Sequence, residues 1–363
     1  MVAEQVRRLL AELGGGDRQR ALIDKEEDWD KPLWKKFAAA GFPGAAIPAE
    51  WGGAGLSQLD LGAISQEIGR ANAAIPFFSS IILAAQTLLR AGSPSQKDRW
   101  LPRLASGEIV ATLAYPSTPW GSKDTIPTVQ LRDGRLTGTC TPVADAGVAD
   151  IAIVAADTPE GSRLALVELD SPGVSRTRLR SFDELRAHYL LRFEEARAEP
   201  LSVETQAPLA GIFDRAAVQA AFEAIGGGEA AMLMARDYAL KRVIFGRPLA
   251  GYQAIKHKLA DIYVAIELAR TSAFDAALAA DGGDGGDRLA IAAAVARLKA
   301  MDAFENAARE NLHIHGGFGY TFEADCHFYY RRERTLALSL GGRLPWAERL
   351  LHHALQAEAR HAV

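Results

Sequence analysis

The hydrophobic pattern of this chain changes its period twice, and that order limits the folds available to it. Up to about residue 110, apolar residues recur at helical spacing, as in Leu59–Arg70 and Ile82–Arg90. From about residue 109 to 201 the pattern becomes short β-rich runs, such as Ile151–Ala155 and Arg163–Glu168. Helical spacing returns from about Phe213. We therefore predict a mainly α fold with a central antiparallel β domain, and the lack of alternating βαβ units disfavours a Rossmann domain.

Composition narrows the class of protein. The chain has 363 residues, is 48% hydrophobic and carries a net charge of -4, which permits a sizeable core and disfavours nucleic acid as a partner. Cys140 and Cys326 form no C-x-x-C pair, which excludes a disulfide scaffold or a cysteine zinc site and fits a reducing cytosol. The apolar stretch Ala73–Leu89 is broken by proline and polar residues, which favours a buried helix over a membrane span. The charged N-terminus has no apolar signal core, so we predict a cytoplasmic protein.

The pattern predicts three parts: a helical region at 1–110, a β region at 111–206 and a helical region at 207–363. Ser93 followed by Pro94 is typical of an N-cap with proline at the first helical position. The glycine-rich run Asp281–Asp287 is not followed by a Lys-Ser/Thr pair, so we interpret it as a solvated connection between helices rather than a phosphate loop.

Two C-terminal segments carry the strongest motifs. Tyr238–His257 contains an Arg-x-x-Phe-Gly-Arg-Pro element followed by a glutamine, and His313–Glu323 joins an apolar helix end to Gly-Gly-x-Gly-Tyr. A diphosphate favours a fixed arginine fork, and glycines let phosphate and backbone approach closely. The two histidines, His313 and His315, have no acidic partner in register, so a metal site is disfavoured.

Both segments resemble the acyl-CoA dehydrogenase family. The resemblance implies a helical N-terminal domain, a β-barrel-like middle domain, a C-terminal four-helix bundle and an FAD cofactor. It implies that the arginine and phenylalanine reach the FAD pyrophosphate region, often across a subunit boundary, and that the glutamine lies near the adenine. The cofactor-binding residues implied in these two segments are Arg242, Phe245, Gln253, His313, Gly316 and Gly317.

Weaker elements extend the resemblance over nearly the whole chain. The loop Ala114–Asp124 is similar to the family's Thr-Glu-Pro-x-x-Gly-Ser-Asp loop without its glutamate, which implies that Thr118 contacts the flavin and Ser122 lies near the FAD or CoA phosphates. Asp214 matches a family residue near the CoA adenine, and Glu67–Arg70 matches a Glu-x-Gly-Arg element.

The chain departs from the family at the catalytic base. Dehydrogenation of an acyl thioester needs a carboxylate to remove the α-proton and a flavin to take the β-hydride. The resemblance places the base at Leu340 or, in other members, at Ala216, and neither side chain can take a proton. Glu223 lies two turns beyond Ala216 on the same helix face and is the candidate catalytic residue. The alternatives are a carboxylate at a subunit contact or a structural hydrogen-bond acceptor.

A second departure lies in the β region. Pro142 stands where the family commonly has an aromatic residue beside the flavin, and Ala144 stands where it has a threonine. This altered pattern resembles bacterial members that act on steroid side chains or aromatic acyl groups, several of which are α2β2 pairs. Four alanines after Phe213 either leave room for a wide acyl group or pack helices together: Ala216, Ala217, Ala220 and Ala224.

The leading hypothesis is an FAD-dependent dehydrogenase of a bulky acyl-CoA, in lipid or steroid degradation. The resemblance implies electron-transfer flavoprotein or a similar acceptor, and assembly as a homodimer, a homotetramer or an α2β2 heterotetramer with a related subunit. One alternative is a non-catalytic or half-site subunit of such a heterotetramer. A second alternative is a flavin-dependent monooxygenase or oxidase on the same fold.

Overall fold

The structure, a computed structural model, describes residues 2–115, 128–204, 206–282 and 286–361, with the side chains of 203–208 and 360–361 also left undescribed. The chain divides into two compact units. The first comprises Met1–Arg18, Gln58–Ala73 and Ala217–Val363, and the second comprises Gln19–Ser57 and Ala74–Ala216. The three predicted domains, with boundaries after 110 and 206, stay a prediction.

The N-terminal third is helical, as predicted. Its helices are α1 (Val2–Leu13), α2 (Gly16–Asp24), α3 (Lys31–Ala39), α4 (Gln58–Ala71), α5 (Gln86–Ala91) and α6 (Pro94–Ala105), with a π-helical stretch, Phe78–Ala85, before α5. The predicted N-cap of α6 is confirmed, because the Ser93 hydroxyl accepts from the Gln96 amide at 3.2 Å and the Gln96 side chain accepts from the Ser93 amide at 2.9 Å. The π-helical stretch is buried throughout, and none of the described helices is both long enough and apolar enough to span a membrane.

The second unit contains the sheet. Its strands are β1 (Ala111–Ala114), β2 (Val129–Arg132), β3 (Arg135–Ala144), β4 (Ile151–Thr158), β5 (Gly161–Glu168), β6 (Val174–Leu179), β7 (His188–Arg197) and β8 (Glu199–Glu204). Their order is β6-β7-β3-β2-β4-β5-β8, with β1 paired to β4. Most ladders are antiparallel, but β4 pairs with β1 and β2 in parallel, so the sheet is mixed. The hairpin of β2 and β3 separates β1 from β4 along the chain, and a connection of that length permits parallel pairing.

Local chemistry explains the strands. Asp133 and Gly134 connect β2 to β3 with φ values of 48° and 71°, which a two-residue hairpin turn requires. The run Ile151–Ala156 of β4 is apolar without alternation, and all six of its residues are buried. A strand covered on both faces has this pattern.

The C-terminal helices are α7 (Gln206–Lys241), α8 (Gln253–Asp281), α9 (Asp287–His315), α10 (Cys326–Leu338) and α11 (Arg343–His361). A small hairpin of β9 (Val243–Ile244) and β10 (Arg247–Pro248) separates α7 from α8. Two glycines let α4 approach α7. A Cβ on Gly69 would lie 1.9 Å from the Glu223 carbonyl oxygen, and one on Gly226 would lie 1.8 Å from the Gln66 carbonyl oxygen. Only glycine permits helix backbones to come this close.

An ion-pair network explains the Glu67–Arg70 element. The buried Glu67 carboxylate accepts two bonds from Arg7 of α1, at 2.8 and 2.7 Å. Glu229 of α7 accepts from Arg70 at 2.7 Å and from Arg270 of α8 at 3.1 Å. Burial would raise the pKa of Glu229, but the two arginines outweigh that effect and lower it. The element therefore ties four helices of the first unit together.

Candidate functional site

Two segments that are far apart in the sequence meet where α7 and α9 end. A small apolar cluster there is formed by Ala235 and Ala239 of α7 and Ile314 of α9. Five partly buried residues from α7, the turn after the hairpin and the start of α8 pack against this cluster: Tyr238, Leu249, Ala250, Ile255 and Leu259. Packing thus brings the predicted segments Arg242–Gln253 and His313–Gly317 together.

The hairpin after α7 is short and exposed at its tip. Phe245 and Gly246 form its turn with φ values of 46° and 79°. A phenylalanine in the left-handed region is uncommon, and this side chain is 95% exposed. The base of the hairpin is anchored, because the Tyr252 hydroxyl donates to the Ile244 carbonyl at 3.0 Å and the Arg247 guanidinium lies 3.7 Å from the centre of the Tyr252 ring.

The glycine turn after α9 has an open side and a packed side. Gly316 adopts φ 62° and ψ -144°, which disfavours any residue with a Cβ. A Cβ built on Gly316 or Gly317 would meet nothing within 4 Å, and both residues are exposed. On the packed side, a Cβ on Gly319 would lie 2.7 Å from the Leu312 carbonyl oxygen, and the Cys326 thiol donates to the Gly319 carbonyl at 3.4 Å. The open side leaves backbone accessible to a ligand.

Basic side chains cover this end of the helices. Eight exposed ones lie on the end of α7, the hairpin, the start of α8 and the end of α9: Lys241, Arg242, Arg247, Lys256, His257, Lys258, Arg309 and His313. Glu310 lies among them, paired with Lys258, with His313 at 3.5 Å and with Arg309 at 3.6 Å. Burial would raise the pKa of Glu310, but Lys258 and then His313 outweigh it and lower it. Exposed cations beside open glycine backbone suit a diphosphate.

The turn after α10 lies where the family resemblance places the base. Leu340 there is 3% exposed, has a φ of 60°, and its carbonyl accepts from the Trp346 indole at 2.9 Å. A buried guanidinium that the sequence did not identify, Arg297 of α9, holds the rest of the turn. Its Nη2 donates to four carbonyls, those of Leu336 at 3.3 Å, Ala337 at 3.2 Å, Gly341 at 3.1 Å and Ser339. The turn is fixed, and the side chain it fixes at position 340 is a hydrocarbon.

Glu223 lies in a buried ion pair. Its carboxylate is 3.5 Å from Nη1 of Arg332 on α10, and the two side chains are 3% and 1% exposed. Arg332 Nη1 also donates to the Ala73 carbonyl at 3.3 Å. This geometry favours the structural interpretation of Glu223 that the sequence left open, and its catalytic role stays a prediction.

The other residues singled out from the sequence lie elsewhere. Thr118 and Ser122 lie outside the described residues. Asp214 on α7 is 3% exposed, and its contact with the CoA adenine stays a prediction. The four alanines of α7 are fully buried, which favours helix packing over an open acyl cleft: Ala216, Ala217, Ala220 and Ala224. The described residues hold no cluster suited to a metal ion.

Pro142 and Ala144, where the chain departs from the family, lie on β3. Pro142 is exposed on β3, and Ala144 is half-buried at its end. The Ala144 carbonyl accepts from the Thr112 hydroxyl at 2.7 Å. Neither Pro142 nor Ala144 has a side-chain donor to offer a ligand, whereas the threonine of the family would.

One further acid was missed by the sequence analysis. Glu333 on α10 has a side chain that is 1% exposed, and burial raises its pKa to about 7, with Arg334 lowering it and Glu305 raising it by smaller amounts. No local pattern distinguishes this glutamate from a solvated one, because its burial depends on the helices packed around it.

The chain has a helical N-terminal region, a central sheet and long C-terminal helices, with an open glycine turn beside a basic hairpin. This combination is typical of the acyl-CoA dehydrogenase class. The family model for the acyl-CoA dehydrogenase N-terminal domain matches residues 1–108, and that for the C-terminal domain matches residues 209–342. The chain therefore belongs to the acyl-CoA dehydrogenase family.

Several named relatives and solved structures are similar to nearly the whole chain. Acyl-CoA dehydrogenase IpdE2 of Mycobacterium tuberculosis is 32% identical over 333 residues, which cover 92% of this chain and 89% of that protein. FadE27 of the same organism is 30% identical over 90% of this chain and 88% of its own length. Among solved structures, a variant of the steroid ACAD Tcur3481-Tcur3483 matches with a TM-score of 0.88 and 30% identity over 99% of this chain and 98% of that one. The ChsE4-ChsE5 complex of M. tuberculosis matches with a TM-score of 0.88 and 28% identity over 98% and 96%.

Proposed function

We propose that this chain is an FAD-binding subunit of a bacterial acyl-CoA dehydrogenase that acts on a bulky, steroid-type acyl-CoA, and that a related partner chain supplies the catalytic base. One observation carries the proposal. The segments Arg242–Gln253 and His313–Gly317, at the ends of α7 and α9, form an open, basic surface suited to a diphosphate, which we call the grip. Both base positions, Leu340 and Ala216, hold buried apolar side chains. A hydrocarbon cannot remove an α-proton.

The residues present fit the cofactor. The Arg242 guanidinium is exposed and always charged, so it would donate to a phosphate oxygen, and the open backbone at Gly316 and Gly317 would let the diphosphate approach. His313 would offer a ring N–H beside it, and Gln253, exposed at the start of α8, would contact the adenine end. When bound, FAD supplies a hydride acceptor for the β-carbon of the acyl chain.

Assembly with a second chain is supported by the hairpin. Phe245 is almost fully exposed at the tip of the hairpin, in a backbone conformation that is uncommon for phenylalanine. Burial of this aromatic ring against another subunit would stabilise the assembly. Two similar structures bear paired names, and one of these is named as a steroid enzyme, which supports a heteromer and a steroid-type substrate. Electron-transfer flavoprotein or a similar protein would accept the electrons.

The visible spectrum of the purified protein tests this proposal. The chain is purified alone and together with a related chain that has glutamate at the position equivalent to Leu340. Bound FAD absorbs near ~450 nm, and we expect this band in the assembly, with anaerobic bleaching by a steroid acyl-CoA only when the partner is present. Bleaching by this chain alone would show that it has its own base.

The other outcomes separate the alternatives. An assembly that turns over acyl-CoA but holds no FAD on this chain would identify a structural subunit. A flavin that stays oxidised with acyl-CoA but consumes oxygen after reduction would identify a monooxygenase or oxidase. Arg242→Ala should reduce FAD affinity about 10- to 100-fold, since a charge-assisted hydrogen bond is worth roughly 1.5–3 kcal/mol. Arg236→Ala, an exposed arginine of the same helix paired with Asp237, is the matched control.

A further inference from the structure

Each half of the diphosphate grip includes a short turn with a positive φ angle. The hairpin has strands of two residues each, and its turn has φ values of 46° and 79° at Phe245 and Gly246. The glycine turn begins at Gly316 with φ 62° and ψ -144°, which glycine adopts but a residue with a Cβ disfavours, and nothing packs against the open side of Gly316 or Gly317 within 4 Å of a built Cβ. A two-stranded hairpin this short is marginal by itself. Both halves therefore need support from residues behind them.

A ring stack joins the two halves. The imidazole of His315 lies on the phenol ring of Tyr238 with centroids 4.1 Å apart and planes 28° apart. Tyr238 is one turn before Arg242, whose amide donates to the Tyr238 carbonyl at 2.8 Å. His315 is the last residue of α9 and directly precedes Gly316. The stack thus lies where each half of the grip leaves its helix.

A hydrogen bond orients the His315 ring. Its Nδ1 lies 2.8 Å from the Asn311 carbonyl oxygen, and since a carbonyl can only accept, Nδ1 carries the proton. Burial lowers the pKa of His315, and the bond to Asn311 opposes that only in part, so the ring is neutral near pH 7. The Asn311 side chain also donates to the Met234 sulfur at 3.5 Å, which adds a second link between α9 and α7 one turn earlier.

We propose that His315 is a positioning residue, whose ring, stacked on Tyr238, couples the glycine turn to the arginine hairpin so that both halves hold FAD together. The inference rests on the proposed FAD binding. His315 itself does not touch the cofactor in this account. It acts through Gly316 on one side and, through Tyr238, on Arg242 on the other.

The test measures FAD affinity in the same assembly, alone or with the partner chain, in which the wild-type chain binds FAD. The apoprotein is titrated with FAD, and flavin fluorescence is followed. Since an aromatic pair is worth about 0.5–1.5 kcal/mol, we expect His315→Ala to weaken FAD binding about 3- to 10-fold. His315→Phe keeps a ring and should return affinity to within about twofold of the wild type. His353→Ala, a histidine on α11 that binds Asp287, is the matched control and should leave affinity unchanged.

A double-mutant cycle distinguishes coupling from general destabilisation. Tyr238→Leu should weaken FAD binding as much as His315→Ala does, and the double variant should be no weaker than either single variant. The midpoint of urea unfolding without FAD is measured for each variant. The FAD affinity of His315→Phe should recover even if its unfolding midpoint stays below that of the wild type. Should His315→Ala not fold, His315→Gln serves in its place, since it keeps a polar group but loses the ring.

Three results would overturn the inference. Unchanged affinity in His315→Ala, while Arg242→Ala loses affinity, would remove His315 from the grip and leave the proposed function intact. Additive losses in the cycle, or losses that follow the urea midpoint and are not restored by phenylalanine, would reduce His315 to a core residue. A wild-type assembly without FAD on this chain would refute the proposed function and, with it, the role of His315.

Discussion

The grip at the ends of α7 and α9 and the turn after α10 differ in what they leave accessible. At the grip, Phe245, Arg242 and the backbone of Gly316 are exposed, and the supporting contacts lie behind them. At the turn, Arg297 and Trp346 hold five backbone carbonyls, and the Leu340 side chain is buried. The first region is accessible to a ligand or a partner, whereas the second is occupied by side chains of this chain.

This difference separates cofactor binding from proton removal, two properties that the family resemblance implies together. Cofactor binding depends on accessible charge and backbone, and this chain keeps both. Proton removal depends on an accessible carboxylate, and the candidate positions hold hydrocarbons or, at Glu223, a carboxylate paired with Arg332. The proposed function rests on this separation, with the grip on this chain and the proton transfer assigned to a partner.

The largest expected effect lies at Arg297. Arg297→Met removes the charged donor from four carbonyls, two of them in fully buried contacts, and we expect the free energy of unfolding to fall by about 3–5 kcal/mol, measured by urea denaturation. Arg343→Met is the control, since Arg343 is 66% exposed and its pair with Asp302 should contribute less than about 1 kcal/mol. Equal losses from the two variants would mean that the buried guanidinium does not hold the turn.

Glu223 offers the next test. Glu223→Gln weakens the bond to Arg332 and removes a negative charge beside that buried cation, so the free energy of unfolding should fall by about 2–3 kcal/mol. Replacing both partners, with Glu223→Leu and Arg332→Met, should restore much of the loss. A steep loss of turnover in the assembled enzyme, with stability unchanged, would instead identify Glu223 as the base.

The pH dependence of stability tests the burial of Glu333. Its folded pKa of about 7 lies above the ordinary glutamate value, so the folded state holds a proton that the unfolded state has lost. Stability should therefore fall as pH rises from about 4.5 to about 7, by roughly 1–3 kcal/mol. Glu333→Gln should flatten the curve measured by urea denaturation between pH 5 and 8. Glu348→Gln, on the exposed side of α11, should keep the wild-type slope.

The smallest effect on stability is expected at the hairpin tip. Phe245 is 95% exposed and Leu340 is 3% exposed, so the two offer a matched pair of truncations. Phe245→Ala should change the free energy of unfolding of the isolated chain by less than about 0.5 kcal/mol, whereas Leu340→Ala should cost about 2–3 kcal/mol. Sedimentation of the assembly should then show weaker association for Phe245→Ala alone. Association that is unaffected by Phe245→Ala would remove the tip from the interface.

The periodicity of the sequence determined the elements because helices and strands are local structures. The N-cap at Ser93 and the two-residue turn at Asp133 and Gly134 both involve neighbours in the chain, and the N-cap formed as predicted. The parallel pairing of β4 with β1 was not predictable in this way, since strand partners are chosen by the whole sheet.

The candidate site divides along the same line. The sequence by itself predicted which residues form the proposed grip, because an arginine, a phenylalanine and glycines at fixed spacing are readable as a motif. Tertiary structure decided that Glu223 is paired with Arg332, that Arg297 holds the turn of Leu340, and that His315 stacks on Tyr238. Each of these contacts joins residues that are not neighbours in the sequence, and burial and pairing depend on what packs around a residue.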